Sequence, residues 1–122
     1  MSSSAPVYVP PPAFHATTAN ALDGYDVVET YGVVRGITVR SRSVFGTLGA
    51  VFQQLRGGEV SLLTELCEQT RRLAFEHAVE NARLLGANGL LALRYDATEI
   101  MKGVSEVLCY GTAVRVAPLV GP

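Results

Sequence analysis

The sequence contains few of the residues that most often build reactive or metal sites. Its 122 residues include two cysteines, two histidines and no tryptophan. Cys67 and Cys109 lie far apart and form no paired-cysteine motif, so we expect neither a disulfide framework nor a four-ligand zinc site. With only His15 and His77 to supply imidazole, no serine, cysteine or histidine triad can be assembled with any specificity.

Charge is also scarce and evenly balanced. Ten basic and eleven acidic residues give a formal net charge of −1, and they are spread along the chain. This distribution excludes the basic patch that nucleic acids or anionic membranes require, so we expect neither as a partner. No apolar run approaches membrane-spanning length. No basic residue precedes Arg35, so we expect no secretory signal and a cytoplasmic location with reduced thiols.

Length and hydropathy indicate one compact domain that associates with itself. A chain of 122 residues with 48% hydrophobic content fits a single domain. Such a domain buries only about two-thirds of its unfolded surface. The mean hydropathy is positive, at +0.26, which predicts that another subunit covers some apolar surface.

Residues 1–24 form an N-terminal arm, followed by a domain over 25–118 and a short tail over 119–122. The arm holds Pro6 and Pro10–Pro12, which favour extended polyproline backbone. Two interpretations stay open for it. The arm is either a flexible leader or a segment that docks on a neighbouring surface through its apolar residues, Val7, Tyr8, Val9 and Phe14.

The domain reads as strand, helix, helix, strand, strand. Residues 26–40 are β-branched and predict a strand; its Gly32 and Gly36 mark bulges or close approaches, either to a packed helix or subunit or to a ligand. A short helix follows Ser43 and stops at Gly57-Gly58. A longer helix, about 36 Å at 1.5 Å per residue, runs from Ser61 to Leu85.

The long helix carries two contrasting faces. Its polar face holds Glu65, Glu68, Arg72, Glu76, Glu80 and Arg83. Its inner face is a stripe of mostly small residues, which lets the helix sit close to a sheet: Cys67, Thr70, Ala74, Ala78, Ala82 and Leu85. Strands over 90–100 and 104–117 joined by Lys102-Gly103 complete an α+β fold, with a small antiparallel or mixed sheet covered by one long and one short helix.

Three stretches carry a family resemblance. They are Gly57-Gly58, the run Leu85-Gly86-Ala87-Asn88, and the strand Glu106 to Val114 with its Tyr-Gly-Thr-Ala-Val ending. With these markers, residues 26–117 resemble the YbjQ family, small bacterial and archaeal proteins labelled as heavy-metal-binding and without an established reaction. The resemblance implies helix-on-sheet subunits that assemble into closed rings, which we expect to be pentamers, and it suggests metal as the ligand.

Two groups of residues are candidate metal ligands. His77 and Glu80 stand at i, i+3 on one helix face, the spacing of helical metal sites; a solvated helix face gives the same pattern. Cys67 and Cys109 either form a thiolate pair or pack as small hydrophobes in the core. Because one subunit offers so few soft ligands, we expect no stoichiometric metal and name no cofactor.

Two further groups are candidate ligand sites. Gly57-Gly58 precede a helix and expose amides that can cradle an anion, although Glu59 and Leu63 depart from the family pattern and Glu59 would compete with a phosphate. Arg94, Asp96 and Glu106 are charges on paired strands, either a cross-strand or interface ion pair or an acid and a base.

The sequence therefore predicts a homo-oligomeric YbjQ-like protein with a binding or structural role and no assigned catalytic residue. The alternative is a small-molecule-binding or hydrolytic protein whose site lies at the subunit interface around Arg94, Asp96 and Glu106.

Overall fold

The structure, a computed structural model, describes residues 13–41 and 60–120. It contains strands β1 (His15–Ala16) and β2 (Tyr25–Ser41), helix α1 (Val60–Leu84), and strands β3 (Gly89–Met101) and β4 (Val104–Pro118). The four strands form one sheet in the order β1-β3-β4-β2. The pair β1/β3 is parallel and the other two pairs are antiparallel. The α+β class with a mixed sheet is confirmed, whereas the short helix predicted after Ser43 lies outside the described residues.

Helix α1 packs on one face of the sheet through its small residues. Thr70, Ala74, Ala78 and Ala82 are all buried, and they follow one another at i, i+4 spacing, which places them on one side of a helix. The predicted stripe is correct at these four positions. It is wrong at its ends, because Cys67 is exposed and Leu85 remains 51% exposed.

Gly36 is the point of closest approach between β2 and α1. A Cβ atom built at Gly36 would collide with the backbone at Ala74 and Ala78 and would lie 2.8 Å from Cβ of His77. The prediction of a close approach at Gly36 is confirmed, and a helix of the same chain makes it. Gly32 instead adopts a φ of +104° beside a register shift in β2, as the bulge interpretation predicted.

The C-terminal end of α1 is closed by glycine. Gly86 has a φ of +98°. The amides of Gly86 and Ala87 donate to the carbonyls of Arg83 and Ala82, at 2.9 and 3.1 Å. This pair of bonds is the Schellman arrangement, which satisfies carbonyls that a helix end leaves free. Likewise, Gly103 turns the β3–β4 hairpin with a φ of +80°.

Residues 15–19, assigned to the arm from the sequence, lie against the edge of β3. His15 and Ala16 pair with Gly89 and Leu90. Beyond them, the amides of Ala92 and Leu93 donate to the carbonyls of Ala19 and Thr17, at 2.8 and 3.0 Å. These bonds hold β3 at a bulge where Ala92 takes a φ of +54°. The end of the arm is thus part of the sheet of its own chain.

The described residues cover the face of the sheet opposite α1 only in part. At one end Leu22 and Tyr25 pack on a small cluster of Leu91, Val114 and Val116. Along β2 the side chains on this open face stay exposed, with Val33 at 77%, Val39 at 53% and Ile37 at 42%. Within the described ranges, no helix is long and apolar enough to cross a membrane.

Gly36→Ala should lower the free energy of unfolding by about 3 kcal/mol, at the upper end for overpacking, because the added methyl group meets helix backbone that cannot rotate away.

Gly111→Val should lower the free energy of unfolding by more than about 1 kcal/mol, since a Cβ there would lie 3.0 Å from the carbonyl oxygen of Leu91. Urea denaturation followed by circular dichroism measures both. The control is Glu76→Ala on the exposed face of α1. A Gly36→Ala midpoint equal to that of the control would contradict the close approach.

Candidate functional site

The predicted charges Arg94, Asp96 and Glu106 lie on the open face of the sheet. Val34, Gly36 and Thr38 are buried beneath α1, so the alternating residues of β2 point to the other side. The registers of β2 and β3 with β4 arrange that side in three adjacent rows across the strands: Arg94–Tyr110–Arg35, Asp96–Leu108–Ile37 and Thr98–Glu106–Val39. One member of the predicted trio stands in each row.

The structure brings these charges onto one face without pairing them. Arg94 donates through Nη1 to the carbonyls of Thr18, at 2.9 Å, and Leu93, at 2.8 Å. Its guanidinium is therefore directed toward the segment that follows β1. In the described part of the chain, the ion pair that does form joins Arg71 and Glu68 on the helix surface, at 3.8 Å. Asp96 and Glu106 thus remain as carboxylates in neighbouring rows with no cation bound to either among these residues.

His77 is oriented in the way that metal-binding histidines commonly are. Its Nδ1 lies 3.1 Å from the carbonyl oxygen of Ile37. A carbonyl only accepts, so Nδ1 carries the hydrogen and Nε2 of the neutral ring keeps its lone pair. Glu80 lines the same surface cavity, which Arg35, Ile37 and Asn81 complete.

The donor set around His77 is nevertheless small. One imidazole and one carboxylate provide only two ligands, fewer than a tightly bound metal ion needs. Across residues 13–41 and 60–120, no group of three or more His, Cys, Asp or Glu side chains could hold a metal ion. His77 and Glu80 are brought together as the spacing predicted, but as a fragment of a site.

The two cysteines occupy different environments. Cys109 is fully buried, opposite both Gly36 and Tyr95 in the sheet. Burial raises the pKa of the Cys109 thiol, an effect that a hydrogen bond with Tyr95 only partly offsets. Cys67 is exposed and lines a cavity of about 160 Å³ between α1 and the β3–β4 hairpin, beside Arg40 and Arg71. Cys109 therefore behaves as a core residue and Cys67 as a surface thiol.

One predicted site cannot be located, and one cavity contains residues that the sequence did not indicate as site residues. Gly57 and Gly58 lie outside the described residues. Arg83 and Arg115, which the sequence did not single out as site residues, line a cavity of about 290 Å³ at the end of α1. The Gly86-Ala87-Asn88 turn could have pointed to Arg83, which stands one turn before it. Nothing local points to Arg115, because the fold brings it there from the last strand.

Comparison with known proteins identifies the family. The profile of a family described as “Putative heavy-metal-binding”, YbjQ, matches residues 14–117. This chain belongs to the YbjQ family.

Its relatives include a UPF0145 protein of Solibacter usitatus, 58% identical over 102 residues, with 84% of this chain and 91% of the relative covered. Another is a UPF0145 protein of Burkholderia multivorans, 55% identical over 105 residues, with 86% of both chains covered. A crystal structure from Pediococcus pentosaceus of a DUF74-family protein of unknown function is 18% identical. Its TM-score is 0.54, and 85% of this chain and 98% of that chain are covered. That likeness shows a shared fold.

The difference between the thiols predicts their reactivity. In the folded protein, Ellman's reagent should react rapidly with one thiol per chain, Cys67, and with Cys109 only after denaturation, because the thiolate is the reacting form and burial disfavours it. A Cys67→Ala variant should leave no fast-reacting thiol, whereas Cys109→Ala should leave one. Rapid reaction of two thiols in the native protein would show that Cys109 is accessible.

Proposed function

We propose that this YbjQ-family protein is a homo-oligomeric binding protein whose subunits associate through the open face of the sheet. The observation that supports this most is the exposure of Val33, Ile37 and Val39 on a face that no element within residues 13–41 and 60–120 covers along β2. Large apolar side chains that cluster at the surface of a sheet are stabilised when another surface covers them. A second copy of the chain is the occupant we propose, and a closed ring of five is the arrangement we expect.

The edges of β2 and β3 are less suited to this role. The side chain of Asn81 donates to the carbonyl of Arg35 at 2.7 Å, and His77 bonds the carbonyl of Ile37. These bonds occupy acceptors on the free edge of β2 that an added strand would need. The first residues of β3 are paired with β1. Face-to-face contact therefore leaves these edge bonds intact.

A second candidate function is a small-molecule or hydrolytic site at the same interface. Asp96 and Glu106 favour it, because they are two carboxylates in adjacent rows of the open face and would lie at the interface when a second subunit covers it. A pair of neighbouring carboxyl groups can serve as the acid and the base of a hydrolytic reaction. Arg94 would then position an anionic group of the ligand.

The family description suggests heavy-metal binding, but the residues of this chain support it only weakly. Among the described residues of one subunit, the candidate ligands that share a cavity are His77 and Glu80. Strong binding of soft metals needs several converging ligands. A ring supplies the missing ligands only if copies of one residue meet around its axis. We further propose a cytoplasmic location, which the free state of Cys67 and Cys109 supports.

Multi-angle light scattering at micromolar concentration tests the assembly. The wild-type protein should have several times the mass of one chain. Val33→Glu should shift it toward the monomer, because a carboxylate would be buried in the interface. Leu84→Glu is the matched control, since Leu84 is 75% exposed at the end of α1 and Val33 is 77% exposed. A monomeric wild-type protein, or equal loss of assembly in both variants, would contradict the proposed interface.

Elemental analysis of protein purified without chelator tests the metal. We expect much less than one zinc, copper or nickel ion per subunit. About one ion per subunit that disappears in His77→Ala or in Cys67→Ala would show the opposite, and metal handling would then become the function. Glu76→Ala, on the solvated side of α1, serves as the control for nonspecific loss.

A further inference from the structure

We propose that the cavity at the C-terminal end of α1 binds a small oxyanion, a phosphate or carboxylate group, between Arg83 and Arg115. The cavity has a volume of about 290 Å³. Its walls come from the end of α1, the turn that follows, the start of the described chain and β4: Ala13, Phe14, Arg83, Gly86, Ala87, Asn88 and Arg115. Two of these residues carry a positive charge and none carries a carboxylate.

Both guanidinium groups are held in place by groups without formal charge. Arg115 donates through Nη1 to the carbonyl oxygen of Gly86 at 2.9 Å. The guanidinium carbon of Arg83 lies 5.3 Å from the centre of the Phe14 ring, within the range of a cation–π contact. In the part of the chain that the structure describes, neither arginine takes part in an ion pair. Their charges are therefore positioned without being neutralised.

The acid that pairs across the sheet with Arg115 is already hydrogen-bonded. Glu29 lies directly opposite Arg115 in the β2/β4 pairing, the usual position for a cross-strand ion pair. Its carboxylate instead accepts a hydrogen bond from the hydroxyl of Tyr31 at 3.1 Å, and the same hydroxyl lies 3.4 Å from the Gly86 carbonyl. Glu29 is thus hydrogen-bonded to Tyr31 while Arg115 donates to the Gly86 carbonyl, and the two charged groups form no ion pair.

An anion is the ligand that completes this arrangement. A guanidinium has five N–H donors, and Arg115 uses one of them here, so most donors of the two arginines remain available. Arginine presents these donors in a planar fork that matches carboxylate and phosphate oxygens. The C-terminal end of the helix disfavours a bound anion, because its carbonyls carry partial negative charge. Yet the Schellman bonds and Arg115 satisfy the carbonyls of Ala82, Arg83 and Gly86.

The size of the cavity and its apolar wall limit the ligand. A volume of about 290 Å³ is at the lower end for small-molecule sites, so it suits a ligand of a few heavy atoms beyond the oxyanion. Phe14 and Ala13 supply an apolar side against which a short carbon chain or ring can pack. The site is separate from the open face of the sheet and does not depend on the proposed assembly.

Titration of the ¹⁵N-labelled full chain with inorganic phosphate and with acetate, at constant ionic strength in chloride, tests the proposal. The amide signals of Gly86, Ala87 and Asn88 should shift with saturation and a dissociation constant on the order of 1 mM, as two charge-assisted hydrogen-bonding groups allow. Tighter phosphate binding would indicate a phosphorylated ligand and tighter acetate binding a carboxylic acid. Linear, non-saturating shifts with both probes would overturn the proposal.

Substitutions locate the binding. Arg83→Gln and Arg115→Gln should each weaken it about tenfold or more, and Arg115→Lys should weaken it less than Arg115→Gln because the charge is kept. Glu29→Gln should strengthen it, since the competing carboxylate charge is removed. Arg72→Gln, on the exposed face of α1, is the control.

Unchanged affinity in Arg83→Gln, or an equal loss in Arg72→Gln, would overturn the proposal. If Arg115→Gln lowers the melting temperature through loss of its bond to Gly86, Arg83→Gln decides the matter, because the Arg83 side chain donates to no backbone group in the described residues.

Discussion

The contact between the backbone of Gly36 and the small residues of α1 is the constraint on which the rest of the structure depends. Because the helix axis comes this close, its buried positions hold threonine and alanine, and the largest fully buried side chains are Leu90, Val114 and Cys109. A core of small residues buries little apolar area per residue, so its hydrophobic stabilisation is modest. In the proposed assembly, a second subunit that covers the open face adds apolar burial, and this would connect the packing of the helix to association of the subunits.

The same contact explains why α1 also serves the edge of the sheet. A helix that lies this near to β2 lets the short side chain of Asn81 and the ring of His77 reach edge carbonyls. Satisfying those acceptors makes the edge a poor template for another strand, which agrees with the proposed association through the face of the sheet. It also fixes the tautomer of His77, so the feature that looks most like a metal ligand has a structural role as well.

Many features of the fold could be predicted from the sequence, because each depends on residues that are close together in the chain. Gly86, the Lys102-Gly103 turn and the alternation that puts Arg94, Asp96 and Glu106 on one face all depend on nearby residues. The errors at Cys67 and Leu85 have a geometric cause. The buried row runs at i, i+4 from Thr70 to Ala82, and its continuations are residues 66 and 86 rather than 67 and 85. The pairing of His15 with Gly89 joins residues that are far apart in the sequence. Strand β1 is only two residues long, too short to show the alternating pattern by which a strand is predicted.

The cavity at the end of α1 shows why site prediction fails where fold prediction succeeds. Arg83 is a surface position in any helical projection, and Arg115 is an exposed residue near the end of a strand. They share a cavity because the buried Ala82 packs the last turn of α1 on the sheet and the Schellman turn then reverses the chain beside β4. Phe14, from the N-terminal part of the described chain, forms another wall of the same cavity. Each of these contacts joins distant segments. The unneutralised pair of charges is therefore a consequence of the helix position, and any change that lifts α1 from Gly36 should move Arg83 away from Arg115.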